Sequence, residues 1–174
     1  MQGATVAFSA KLSPARGCIV AQATEPYQPD GFEMIGIILV NCLVVFITVL
    51  VHYEFLYRVT SFIPRMDIRH RYRIVFGVLA ALIAHAVEIW IFSVPYYLVI
   101  RADGWGDLIG NFDGSIMDCA YFSFTTFTTL GFGDIEPIGN VRYLTGIESL
   151  TGLVLITWTA SFLYFEMQRH WTPK

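Results

Sequence analysis

Thr128-Thr129-Leu130-Gly131-Phe132-Gly133-Asp134 alternates two glycines with two large apolar residues, behind two hydroxyls and ahead of a carboxylate. That order suits a backbone that turns several successive carbonyls toward one axis. Glycine takes positive φ without a Cβ clash, so Gly131 and Gly133 can hold conformations closed to other residues. Leu130 and Phe132 then point outward and wedge the loop against its scaffold. The product is a ladder of carbonyl oxygens able to replace the water around a bare cation. Alone, a Gly-x-Gly-Asp string marks a turn; its surroundings decide its chemistry.

Those surroundings are apolar. Of the 174 residues 55% are hydrophobic and only 14% charged, far from the balance of a soluble domain. The length fits one domain. A net charge of −3 with no basic face excludes a nucleic-acid partner. Cys18, Cys42 and Cys119 are too scattered for a disulfide framework or a cysteine metal site, and packing is the expected role of Cys42 and Cys119. A bilayer core takes about 20 helical residues, and three segments reach that length: Met34 to about Tyr53, Ile74 to Ile100, and about Leu144 to Phe165. The expected organisation is an external tail over 1–33, a first transmembrane helix over 34–57 and a basic cytoplasmic loop over 58–73. A pore-bearing unit over 74–168 and a cytoplasmic tail over 169–174 complete it. Residues 1–33 lack an apolar run long enough for a signal peptide.

Charge sets the expected orientation. Between the first two spans Arg58, Arg65, Arg69, Arg71 and Arg73 stand against Asp67 alone, which places that loop in the cytoplasm. The loop after the second span carries Asp103, Asp107 and Asp113 and should be external. Arg169, His170 and Lys174 then return to the cytoplasm, leaving the N-terminus outside and the glycine loop on the external side. The expected location is a plasma (inner) membrane, crossed several times.

Between the second and third spans, Ser115 to Thr128 is apolar and aromatic but too short to cross. Ser115-Ile-Met-Asp118 has the spacing of a capping box, which starts a short helix there. A short helix followed by an extended glycine loop makes a re-entrant hairpin, and such backbone survives at membrane depth only where protein buries it or water lines it. The C-terminus of that helix near Thr128 aims its negative dipole end at a central cavity, favouring a cation.

The same stretch resembles the selectivity filter of the potassium channels, usually Thr-Val-Gly-Tyr-Gly-Asp, and the resemblance covers Ile74 to Gln168. It implies an all-α membrane protein: three transmembrane helices with a re-entrant pore helix and filter loop, assembled as a homotetramer because one loop cannot surround an ion. It implies a potassium-selective channel with the lipid bilayer, K+ and its own copies as partners, no cofactor beyond permeant K+, and no enzymatic activity. Thr129, Leu130, Gly131, Phe132 and Gly133 become the ion-coordinating positions, with K+ bound at Thr129 to Phe132. Thr128, Thr125, Phe122 and Asp134 become filter support, Asp134 at the outer mouth.

Departures from the pattern qualify this. Leu130 replaces Val or Ile and loosens packing behind the filter; Phe132 replaces Tyr and loses a hydroxyl. With Tyr121 and Phe122 at the matching pore-helix positions, the outer cuff is expected to rest on packing. Thr125 stands where some relatives carry a glutamate that pairs with the filter aspartate. Matching Arg142 to the arginine that often follows the filter, with one residue deleted, puts Gly152 at the hinge position; close packing is its other reading. Leu153, Ile156, Thr157, Ala160 and Tyr164 recur beyond it at helical spacing and are expected to line the inner cavity and gate.

Ionisable residues inside spans are costly unless paired or wet. His85 and Glu88, three residues apart on one face, can pair with each other; a structural hydrogen-bond network is the favoured reading of these two and Glu148, and a proton-sensitive set that biases the gate is the other. No helix carries an arginine at every third position, against voltage sensing, and no cytoplasmic ligand-binding ring is expected after Gln168. Other readings are a weakly selective cation channel, through Leu130 and Phe132, and a non-conducting scaffold or regulatory subunit. A metal or haem membrane protein using His52, His85 and Glu88 is disfavoured, because His52 reads as near the cytoplasmic end of its span and His85 as deeper.

Overall fold

The computed structural model describes residues 31–62, 70–102 and 104–170. Residues 1–30 of the expected tail, Cys18 among them, residues 63–69 of the basic loop, Asp103 and the last four residues lie outside them. The element order is α1 (Gly31–Phe62), α2 (His70–Val99), β1 (Asp107–Gly110), α3 (Ile116–Phe127), β2 (Ile135–Ile138) and α4 (Val141–His170).

Three helices are long and apolar enough to cross a membrane, over Ile35–Phe62, Tyr72–Val99 and Val141–Gln168. The chain is an all-α membrane protein built on these spans, with α3 as the short helix between the last two. Each long helix outruns the limits read from hydropathy: α1 continues past residue 57 to Phe62, and α2 starts at His70 rather than Ile74. Apolar runs mark what suits hydrocarbon, whereas the backbone ladder continues through the polar residues beyond it. Pro95 lies inside α2, a position membrane helices tolerate when neighbouring groups satisfy the freed carbonyl.

The core surrounds α3. Phe92 and Tyr96 of α2, Cys119, Phe122 and Phe127 of α3, and Leu155 of α4 are buried together. Tyr96 meets Phe122 edge-on with centroids 5.1 Å apart, and Phe92 lies 6.4 Å from Phe127. The buried Cys119 has the packing role expected of it, whereas Cys42 is exposed on α1. α1 packs along both α2 and α4.

One element is additional to the expected architecture. β1 and β2 pair antiparallel, Leu108 opposite Pro137 and Gly110 opposite Ile135. This ribbon ties the acidic loop to the segment leaving the glycine loop, with Leu108 and Ile135 buried beneath it.

Candidate functional site

The glycine loop hangs from the C-terminus of α3, and its start and finish are both fixed. At the N-terminus Ser115 caps the helix, its hydroxyl accepting from the Asp118 N–H at 3.1 Å. The Asp118 carboxylate takes the N–H of Asp113 at 2.8 Å rather than that of Ser115, so the capping box closes two residues wider than the motif implies. Asp113 in turn accepts from the Ser115 N–H at 2.7 Å, and these bonds hold its carboxyl below the usual carboxylate range. At the C-terminus Thr128 is the cap, its hydroxyl donating to the Phe124 carbonyl at 2.7 Å.

Beyond the cap the backbone N–H groups fold back on the helix. Thr129 donates to the Thr126 carbonyl at 2.9 Å, while Leu130 and Gly131 both donate to that of Thr125, at 2.9 and 3.1 Å. Thr125 therefore supports the loop through its carbonyl, its hydroxyl being turned to Phe122. The φ angle is positive at every second residue: Thr129 at 57°, Gly131 at 51° and Gly133 at 76°. In a plain strand successive carbonyls alternate sides; reversing the sign of φ at alternate residues brings them toward one side. Among the described residues, the carbonyls of Thr129, Leu130, Gly131, Phe132 and Gly133 receive no hydrogen bond. These five acceptors stay free while the N–H groups of Thr129, Leu130 and Gly131 turn back to the helix, which leaves the carbonyls available to a cation. The threonine at positive φ was not anticipated; a β-branched residue there stores strain, as functional backbone often does.

The large side chains of the loop behave differently from each other. Phe132 stacks parallel to Tyr121 with centroids 6.4 Å apart. Leu130 is 60% exposed, so among the described residues it is not wedged into a scaffold as expected. The space behind the loop, about 370 Å³, is bounded by Thr125, Thr126, Thr145 and Ser149, consistent with loose packing there. The outer cuff is also corrected. Tyr121 donates its hydroxyl to Asp134 Oδ2 at 2.8 Å, which raises the tyrosine pKa, so a hydrogen bond replaces the cuff expected from packing alone. Phe122 takes no part in that hydrogen bond; it meets Tyr96 edge-on and lines the space behind the loop. The Asp134 carbonyl accepts from the Asn111 N–H at 2.9 Å, completing the outer anchor.

On α4, Gly152 faces the end of α3. A Cβ there would overlap the Phe127 carbonyl oxygen, so close approach explains the glycine without any hinge motion. Leu153, Ile156, Thr157, Ala160 and Tyr164 are all exposed in the single chain, as residues facing a shared cavity would be.

The ionisable residues form two separate groups, not one. Glu148 is fully buried, accepting from the Tyr96 and Ser123 hydroxyls at 2.5 Å each, which ties α4 to α2 and α3. Its removal strands the Tyr96 hydroxyl, whose other contact, Thr145, is 3.4 Å away. Replacing Glu148 by Leu is expected to cost about 1–3 kcal/mol, the usual penalty for buried polar groups left unmatched. Glu148→Gln, which keeps one acceptor oxygen, should lose less. Thermal unfolding in detergent ranks the two, and equal melting temperatures would remove Glu148 from the packing argument.

His85 pairs with Glu88 as expected, Nδ1 to Oε2 at 2.9 Å, but the second partner is His52, Nδ1 to Oε1 at 2.7 Å. An apolar run that stops near Tyr53 puts His52 at the end of the first span, away from His85 in depth. With α1 running to Phe62, His52 lies well inside its span, and the rings of His52 and His85 stack with centroids 5.6 Å apart.

A family model described as an ion channel matches residues 84–168, from the middle of α2 to near the end of α4. Neither the curated proteins nor the solved structures give a match.

Proposed function

Because residues 84–168 belong to the pore-loop ion-channel family, we propose that this membrane-spanning ion channel is selective for K+ and conducts through a filter built by four copies of the glycine loop. The observation that carries the reading is the row of five carbonyls, Thr129 to Gly133, with alternating positive φ and no hydrogen-bond donors. Carbonyl oxygens fixed in this way replace the hydration shell of a weakly hydrated cation. One loop supplies one wall, so a cyclic homotetramer closes the site. The exposed apolar side chains of the loop and α4, among them Leu130, Leu150 and Leu153, are suited to contact with neighbouring copies. Thr128, Thr125 and Asp134 hold the loop. Gly152 sets the approach of α4, and Leu153, Ile156, Thr157, Ala160 and Tyr164 line the cavity below.

The arginine-rich connection between α1 and α2 points to the cytoplasm by the positive-inside rule. The filter then faces outward in a plasma membrane, with the N-terminus outside and the C-terminus inside. Proteoliposomes loaded with K+ and diluted into Na+ test the function. Efflux of K+ that sets up a membrane potential, with no matching response when Na+ is loaded instead, is expected. Equal fluxes of the two ions would replace this reading with a weakly selective cation channel. Absence of flux at any pH or membrane tension would leave a non-conducting subunit.

A further inference from the structure

We propose that His52, His85 and Glu88 form a binding site for a divalent transition-metal ion of the zinc class, which joins α1 to the pore-bearing part of the chain. One ligand atom from each residue lies within 4.8 Å of the others. His52 and Glu88 have no solvent exposure, and the His85 side chain keeps 16%, so the cluster is enclosed yet reachable from one edge. Two imidazoles and a carboxylate are a common donor set for zinc, which binds nitrogen at about 2.0–2.1 Å and oxygen at about 2.0–2.2 Å. The present spacings of 2.7 and 2.9 Å between each Nδ1 and its carboxylate oxygen require only a small outward movement to admit an ion.

The surroundings match what metal-binding histidines need. Such a histidine usually donates its second ring N–H to an acceptor that fixes the tautomer and the ring plane. His52 Nε2 lies 3.4 Å from the Thr159 hydroxyl on α4, where it can do so. Uptake through Nδ1 leaves each ring neutral, its one proton carried on Nε2 instead. Trp158 packs against His52 with centroids 5.2 Å apart, and Phe127 against His85 at 5.9 Å, giving the site an apolar wall. A carboxylate buried at membrane depth calls for a positive partner, and a bound cation can supply one. The site thereby gives α1 a role: it fastens that helix to α2, beside the α3 residue whose carbonyl abuts Gly152.

The test is a Co2+ titration of the full chain, purified in detergent without a histidine tag and followed by visible absorption. The bands of four-coordinate Co2+ should appear, saturate at about one equivalent per chain and be displaced by Zn2+. The bands should be absent from His52→Gln and Glu88→Gln. Thr159→Val keeps all three ligands and should weaken binding by about 10–100-fold. Failure of the native chain to take up Co2+ would overturn the proposal, including where its currents still respond to pH, since the cluster would then be a proton site. Uptake undiminished in both ligand variants would overturn it as well. Absorption requires no current, so the result stands whether or not the pore selects K+.

Discussion

Gly133→Ala is expected to abolish discrimination between K+ and Na+, while Gly131→Ala weakens it. Neither added methyl meets an atom within 4 Å among the described residues, so the penalty within one chain is conformational and not steric. A left-handed backbone costs a residue with a Cβ about 1–2 kcal/mol. In the proposed four-fold assembly every copy would carry the substitution, and the sum would reach about 4–8 kcal/mol. Gly131 at φ 51° lies within the region other residues occasionally occupy, whereas Gly133 at 76° lies beyond it, hence the ranking. The loop already holds Thr129 at φ 57°, so it has little tolerance for further strain. Relative K+ and Na+ fluxes of the two variants in proteoliposomes measure the effect. Unchanged selectivity in Gly133→Ala would mean that the backbone conformation described does not form the filter.

The second large effect lies at Gly152. Alanine is the better helix former by about 1 kcal/mol, so on propensity alone Gly152→Ala should stabilise α4. The added methyl, however, would overlap the carbonyl oxygen of Phe127. That carbonyl belongs to a fully buried residue at the end of α3 and cannot swing aside without moving the filter. Overpacking of this kind costs about 1–3 kcal/mol, which exceeds the gain. The variant should melt at lower temperature and assemble poorly, while Gly146→Ala, whose methyl meets nothing within 4 Å, should be neutral or better. A Gly152→Ala protein of full thermal stability with altered opening alone would instead make this glycine a hinge.

Particular residues show what could be read before the structure. Ser115 and Asp118 located the start of α3, and the glycines at 131 and 133 located the positive-φ positions, because both signals are local in the chain. The His85–Glu88 pair was legible for the same reason, being one turn apart on one helix. His52 was missed as their partner because its depth was judged from the apolar run, and α1 extends beyond that run to Phe62. The signal available was a single histidine at the end of the uncharged run from Met34 to Tyr53. Tyr121 with Asp134, and Glu148 with Tyr96 and Ser123, join elements distant in the chain, so no periodicity reports them. The β1–β2 ribbon escaped for a related reason: its strands are four residues each, and Pro137 within one of them argues against a strand.

The reversal potential of the purified protein in planar bilayers, under opposed K+ and Na+ gradients, bears most directly on whether these carbonyls select an ion. A value close to the K+ equilibrium potential is predicted. A value near zero with clear current would contradict it, showing a pore that passes both cations through the same loop.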